Sequence, residues 1–91
     1  MIEEIMMDDV CCAIIISRSY STKGIKFITP SSNSQQLGYM NHPKGHTIQP
    51  HRHNYVRREI TDMQETLFIK SGTVRVDFYN SSNQYINSKM L

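Results

Sequence analysis

The sequence lacks a long hydrophobic run. Its longest, Val10–Ile16, spans seven residues, far short of the roughly 20 that a helix needs to cross a bilayer. Residues 1–9 contain four acidic side chains and no Lys or Arg, whereas a secretory signal begins with positive charge. These absences predict a cytoplasmic protein with no membrane partner.

Clusters of basic residues are also missing. Ten Lys and Arg residues face eight acidic ones, the net charge is +2, and Arg57-Arg58 is the single adjacent basic pair. Proteins that bind nucleic acids concentrate Lys and Arg on one face. We therefore expect no nucleic-acid partner.

The chain has only two cysteines, the neighbours Cys11 and Cys12. This excludes a C-x-x-C zinc motif, and an intrachain disulfide would have to be a strained vicinal bridge. Because the pair lies in an apolar run, we expect two small hydrophobic side chains in a buried strand.

At 91 residues the chain is long enough for one domain, and its core is small. Chains of this length bury a modest fraction of their surface and are marginally stable. A bound metal or a partner subunit would add stability.

Helical periodicity is absent over any long stretch, and one turn of helix is expected only within residues 2–8. Short apolar and β-branched runs, bounded by turn residues, instead predict strands. These cover residues 10–17, 24–29, 37–41, 47–55, 65–70 and 73–80, and a further strand begins at 84–87.

Two of these strands are predicted to form a hairpin. Ser71-Gly72 separates residues 65–70 from 73–80, and Ser-Gly is a common hairpin turn. A second turn is predicted at residues 81–83. The pattern is typical of an antiparallel all-β barrel or sandwich, and we expect it to be incomplete because the last strand has only begun where the sequence ends.

His51 and His53 form the strongest chemical signal. Alternate residues of a strand project to one face, so both imidazoles would approach one metal ion from the same side. Glu65 heads the strand 65–70, where an inward carboxylate is costly unless it is ligated. Two imidazoles and a carboxylate suit Fe(II), Mn, Ni, Zn or Co.

The stretch from Gly45 to Gly72 resembles the first conserved motif of the cupins. In that motif a Gly is followed after five residues by His-x-His, then by Glu, six residues and Gly. Here Gly45 precedes His51 by that spacing, and Glu65 precedes Gly72 likewise. The gap from His53 to Glu65 is eleven residues, where cupins usually have three or four, so Glu59 is an alternative third ligand. We prefer Glu65 because its distance to Gly72 fixes the hairpin register.

The resemblance implies a cupin-like jelly-roll β-barrel that is incomplete at its C-terminal end. Residues 10–91 would form the partial cupin domain after a lead segment, residues 1–9. The second cupin motif, with its third His, has no counterpart here. The missing strands then come from another chain, as in a homodimer formed through open barrel edges, or the chain is an inactive truncated remnant.

The function implied by the resemblance is a metal-binding protein that holds a small polar or anionic ligand, for example a sugar-derived one. An oxygenase, isomerase or epimerase reaction fits the family, and a non-catalytic ligand-binding or structural module is the alternative. Tyr55, Arg57 and Arg58 are candidate ligand-binding residues. His42 and His46 are expected to be solvated loop residues.

Overall fold

The structure, a computed structural model, describes all residues from 1 to 91. It has six strands and no helix, which confirms the predicted all-β class; no helix is present to serve as an apolar membrane span. The strands are β1 (Ile2–Met7), β2 (Val10–Ile16), β3 (Gly24–Phe27), β4 (Gly38–Asn41), β5 (Arg75–Tyr79) and β6 (Tyr85–Met90). Consecutive strands pair into three antiparallel two-stranded sheets, and none of these sheets closes.

The chain divides into two compact units. The first comprises Met1–Tyr20 together with Thr66–Leu91, and it contains the hairpins β1–β2 and β5–β6. Within it, the Lys89 ammonium forms an ion pair with the Glu3 carboxylate. The second unit, Ser21–Glu65, contains the β3–β4 hairpin.

The β1–β2 hairpin turns at Asp8 and Asp9, and both have positive φ, 50° and 64°. Two left-handed residues in succession are typical of a type I′ turn, whose twist matches that of paired strands. The turn of helix predicted for residues 2–8 is wrong, because this turn brings residues 2–7 alongside the β-branched strand β2. The predicted boundary between residues 9 and 10 falls at the end of the turn.

A β-bulge interrupts the same hairpin. Ile5 pairs with Ala13, and the next residue of β1, Met6, pairs with Cys11, so Cys12 is the extra residue on β2. Its thiol donates a hydrogen bond to the carbonyl oxygen of Ile5 at 3.2 Å. The bulge therefore divides β2 into a short paired part, Val10 and Cys11, and a longer uninterrupted part that begins at Ala13.

The β3–β4 hairpin confirms the strands predicted around residues 24–29 and 37–41. Phe27 pairs with Gly38, and a Cβ on Gly38 would lie only 3.4 Å from the Phe27 ring. The glycine therefore lets the aromatic ring lie close to the neighbouring strand. Thr29 closes the loop, since its hydroxyl accepts a hydrogen bond from the Leu37 amide at 2.9 Å.

Asn80 organises the β5–β6 turn. Its side-chain oxygen accepts hydrogen bonds from the amides of Ser82 and Gln84 at 2.9 and 3.0 Å. Asn83 takes the left-handed conformation, φ 63°, which Asn tolerates better than most residues. The turn predicted at residues 81–83 and the strand that follows it are thus confirmed.

The predicted hairpin at Ser71-Gly72 is wrong. Residues 65–70 form no strand, and β5 pairs forward with β6 instead. The Asn80 turn supplies side-chain hydrogen bonds that Ser71-Gly72 does not have. The strand predicted at residues 47–55 is also absent: Pro50 has no N–H to donate, and no neighbouring strand pairs with this stretch.

Little of the chain is buried. Ile5, 5% exposed, is the single fully buried residue. The expectation that Cys11 and Cys12 are buried is wrong, since both are exposed. The chain exposes 8593 Å², whereas a folded protein of this mass exposes roughly 5,500 Å². Large apolar side chains, among them Tyr55, Met63 and Phe68, are exposed.

Candidate metal and ligand site

His51 and His53 lie in a long segment, residues 42–74, that contains no strand or helix, and both side chains are exposed. The prediction that a strand places them on one face is wrong. Their rings are nevertheless neighbours, with centroids 5.7 Å apart and planes inclined by 76°. The two rings thus meet edge-on at the surface of the chain.

A backbone hydrogen bond orients His51. Its Nδ1 lies 2.9 Å from the carbonyl oxygen of Gln49. A carbonyl only accepts, so Nδ1 carries a proton in this contact, and in the neutral ring Nε2 is then the nitrogen with the lone pair. Metal-ligating histidines commonly fix their tautomer in this way. His51 is thus prepared for coordination through Nε2.

The carboxylates are not gathered with the two imidazoles. No group of three or more His, Cys, Asp or Glu side chains is placed to hold a metal ion. Glu65 is exposed and lies outside any strand, so the inward position predicted for its carboxylate does not form. The structure therefore brings the two imidazoles near each other without a carboxylate, and assignment of all three ligands, His51, His53 and Glu65 (or Glu59), stays a prediction.

Arg58 and Glu59 line an open cavity of about 270 Å³ within the unit Ser21–Glu65. The guanidinium of Arg58 donates a hydrogen bond from Nη1 to the carbonyl oxygen of Ser32 at 3.2 Å. Asp62 lies on the same lining. One cationic and two acidic side chains give the cavity mixed charge, which suits a polar ligand better than a multiply charged anion.

The other two predicted ligand-binding residues lie apart from this cavity. Arg57 is not among its lining residues, and Tyr55 is 93% exposed. The inward position predicted for Tyr55 required a strand that does not form. Ser32 and Asp62 were not predicted, because their separation in sequence gives no periodic signal that would bring them together.

His42 and His46 form a second histidine pair. Their rings stack in parallel, with centroids 4.0 Å apart and planes 14° from parallel. A hydrogen bond from the His46 amide to the Pro43 carbonyl, at 3.1 Å, closes the turn between them. This pair differs from His51 and His53 in geometry and is a natural control for them.

Comparisons with known proteins give no significant match to a protein-family model, a curated sequence or a solved structure. The resemblance of residues 45–72 to the first cupin motif therefore stays a prediction.

Proposed function

We propose that this chain is a cupin-like protein that binds a divalent transition-metal ion through His51 and His53, with Glu65 as the third ligand. The observation that carries the proposal is the hydrogen bond from His51 Nδ1 to the Gln49 carbonyl. With Nδ1 as the donor, the neutral ring has its lone pair on Nε2, and the ring centroid lies 5.7 Å from that of His53. Neutral imidazole and ionised carboxylate are the ligand forms that metal binding requires near pH 7.

The two imidazoles require only local adjustment to reach a common ion. Nitrogen ligands lie about 2.0–2.1 Å from an ion such as zinc, so both rings turn toward a common point from their separation of 5.7 Å. Both side chains are exposed, and rotation about their side-chain bonds meets little resistance. Glu65 joins when the irregular segment between residues 53 and 65 folds around the ion.

The ligand we propose is a small, polar and weakly charged molecule, such as a sugar derivative. Arg58 provides one cationic group in the cavity, and its contact with Ser32 holds that group in place. Glu59 and Asp62 offset this charge while offering acceptors for hydroxyl groups. A bound metal would supply a Lewis acid for an isomerase or oxygenase reaction; simple ligand binding is the alternative.

The fold we propose for the active form is a β-barrel completed by a second copy of the chain. Three open two-stranded sheets support this proposal, because an isolated hairpin is only marginally stable in water. The exposed surface exceeds that of a folded protein of this mass by roughly 3,000 Å². Two copies together would therefore expose roughly 6,000 Å² more than two compact chains, and obligate homodimers bury about 2,000–5,000 Å² in total, so a dimer would cover a large part of the excess.

Metal content tests the proposed site. Purified protein should contain about one transition-metal ion per chain by elemental analysis, and the variant His51→Ala/His53→Ala should contain none. The variant His42→Ala/His46→Ala, which removes the stacked pair, should retain the metal. Stoichiometric metal in the first variant would refute the ligand assignment.

Glu→Gln substitutions, which remove the charge, distinguish between Glu65 and Glu59 as the third ligand. Glu65→Gln should weaken metal affinity about tenfold or more, a loss comparable to that of a ligand-supporting group. Glu59→Gln should leave the affinity unchanged. The reverse result would assign Glu59 as the third ligand.

A further inference from the structure

The outer edge of β2 presents unpaired backbone groups. The Ser17 amide donates to the Met1 carbonyl at 2.8 Å, and Glu3 pairs with Ile15 two residues along. In an antiparallel pair, hydrogen-bonded and non-hydrogen-bonded positions alternate. The backbone groups of Ile15 therefore face β1, and those of Ile14 and Ile16 point away from it.

This edge lacks the features that normally protect a strand from pairing with another chain. β2 has the sequence Val-Cys-Cys-Ala-Ile-Ile-Ile, with no charge, proline or glycine. Natural edge strands are usually shielded by charged residues, proline or bulges. The bulge at Cys12 shortens the regular edge to residues 13–17, and this part remains open. The charged residues of this sheet, Glu3 and Glu4, lie on the other strand, β1, and do not protect the edge of β2.

We propose that β2 pairs antiparallel with β2 of a second copy, which joins the two hairpins into a four-stranded sheet. The proposal rests on the homodimer proposed above and specifies the strand that forms it. The two-fold axis passes at Ile15, because this register uses the whole regular stretch, residues 13–17. Ile14 then exchanges backbone hydrogen bonds with Ile16 of the second copy, and the two copies of Ile15 lie opposite each other.

A second copy fits this edge because the strand is complementary to itself. A two-fold axis places an uncharged strand against an identical one, so no like charges meet along residues 10–16. Residues 13–16 are already half-buried, and a four-stranded sheet passes the three-strand size at which a sheet becomes independently stable.

Proline substitution tests the edge without disturbing the hairpin. Ile14→Pro removes an N–H that points away from β1, so the variant should keep the hairpin and become monomeric by light scattering at concentrations where the unmodified protein is dimeric. Ile15→Pro is the matched control. It removes an N–H that bonds within the hairpin and should also abolish the circular-dichroism signal of β structure.

A cross-link provides a second measurement that does not depend on how well proline is tolerated. In the background Cys11→Ser/Cys12→Ser, the substitution Ile15→Cys places two thiols across the two-fold axis, where Cα atoms of a non-hydrogen-bonded pair lie about 4.5 Å apart. That distance suits a disulfide. Mild oxidation should convert most of this variant to covalent dimer, and an Ile25→Cys variant in the same background should remain largely uncross-linked.

The outcomes separate this proposal from the others. A monomeric unmodified protein would overturn both the dimer and the β2 edge. A dimer that survives Ile14→Pro and does not cross-link through residue 15 would overturn the β2 edge alone. The variant His51→Ala/His53→Ala should remain dimeric, so failure of the metal proposal would leave this result unaffected.

Discussion

The β5–β6 hairpin and the segment 42–74 are both rich in polar residues, and they use them differently. In the hairpin, the Asn80 side chain binds the amides of the turn that it forms, and strands on either side continue the hydrogen bonding. In the segment, every residue from 43 to 74 is exposed and no strand forms. The candidate metal ligands all lie in the segment. The hairpins are therefore stabilised by contacts of their own, and the candidate site depends on what binds to it.

The largest effect on stability that distinguishes the hairpins from the segment 42–74 should come from Ile5, in β1. Replacing this buried residue with Ala removes apolar contacts and leaves a cavity, which costs about 2–5 kcal/mol in protein cores. Ile5→Ala should therefore lower the denaturant midpoint of unfolding strongly. Ile60→Ala, in the segment at 65% exposure, should leave the midpoint unchanged. If Ile5→Ala and Ile60→Ala lowered the midpoint equally, the hairpins would not be more tightly packed than the segment 42–74.

A smaller loss of stability is expected from a change in the β5–β6 turn. Asn80→Ala removes the acceptor for two exposed backbone amides, and a typical hydrogen bond contributes about 0.5–1.5 kcal/mol net. Hydrogen-exchange protection of the Ser82 and Gln84 amides should fall. Asn54→Ala, a matched change in the irregular segment, should alter no amide protection. Unchanged protection in the Asn80 variant would show that β5 and β6 pair independently of this turn.

The β1–β2 turn should become more stable with glycine. Asp9 has φ 64°, which glycine adopts without the steric cost of a Cβ. Asp9→Gly should increase the free energy of unfolding by up to about 1 kcal/mol, because Asp-Gly is a preferred type I′ pair. Asp62→Gly, at an irregular position, should bring no gain. A loss of stability in the first variant would argue against the type I′ turn.

The smallest predicted effect concerns Cys11. Partial burial, and then the charge of Glu4, raise the pKa of its thiol. The folded state then holds this proton more tightly than the unfolded state, so the group stabilises the hairpin below the usual thiol pKa. That contribution is lost as the pH rises through the raised pKa.

Alkylation measures this effect. In a Cys12→Ser background, Glu4→Gln should accelerate alkylation of Cys11 at pH 8, since the thiolate fraction rises. Glu3→Gln should have less effect, because Glu3 is paired with Lys89. Equal acceleration by both changes would remove Glu4 as the specific cause.

The sequence allowed the all-β class and most of the hairpin strands to be predicted, because apolar and β-branched runs bounded by turns form strands locally. The strand in residues 2–7 was missed because its turn, Asp8-Asp9, lacks the usual glycine. The Ser71-Gly72 hairpin was predicted wrongly because a turn signal does not reveal which of two neighbouring strands will pair. Local sequence patterns do not show which of two possible partners a strand will pair with.

The candidate site was predictable only in part. The spacing of His51 and His53 indicated that their side chains would be neighbours, and their rings are close without the strand on which the prediction depended. The cavity beside Arg58 was not predictable in detail, because its contact with Ser32 joins residues 26 positions apart. No local pattern encodes an approach over such a distance.

Titration with Zn²⁺, followed by NMR of the histidine rings, tests the proposed metal site most directly. We predict that the ring signals of His51 and His53 shift and saturate at one equivalent of zinc, while those of His42 and His46 stay in place. Amide signals should change within residues 42–74 and remain unchanged in the β5–β6 hairpin. Equal shifts of all four histidines, or no saturation at one equivalent, would contradict the account.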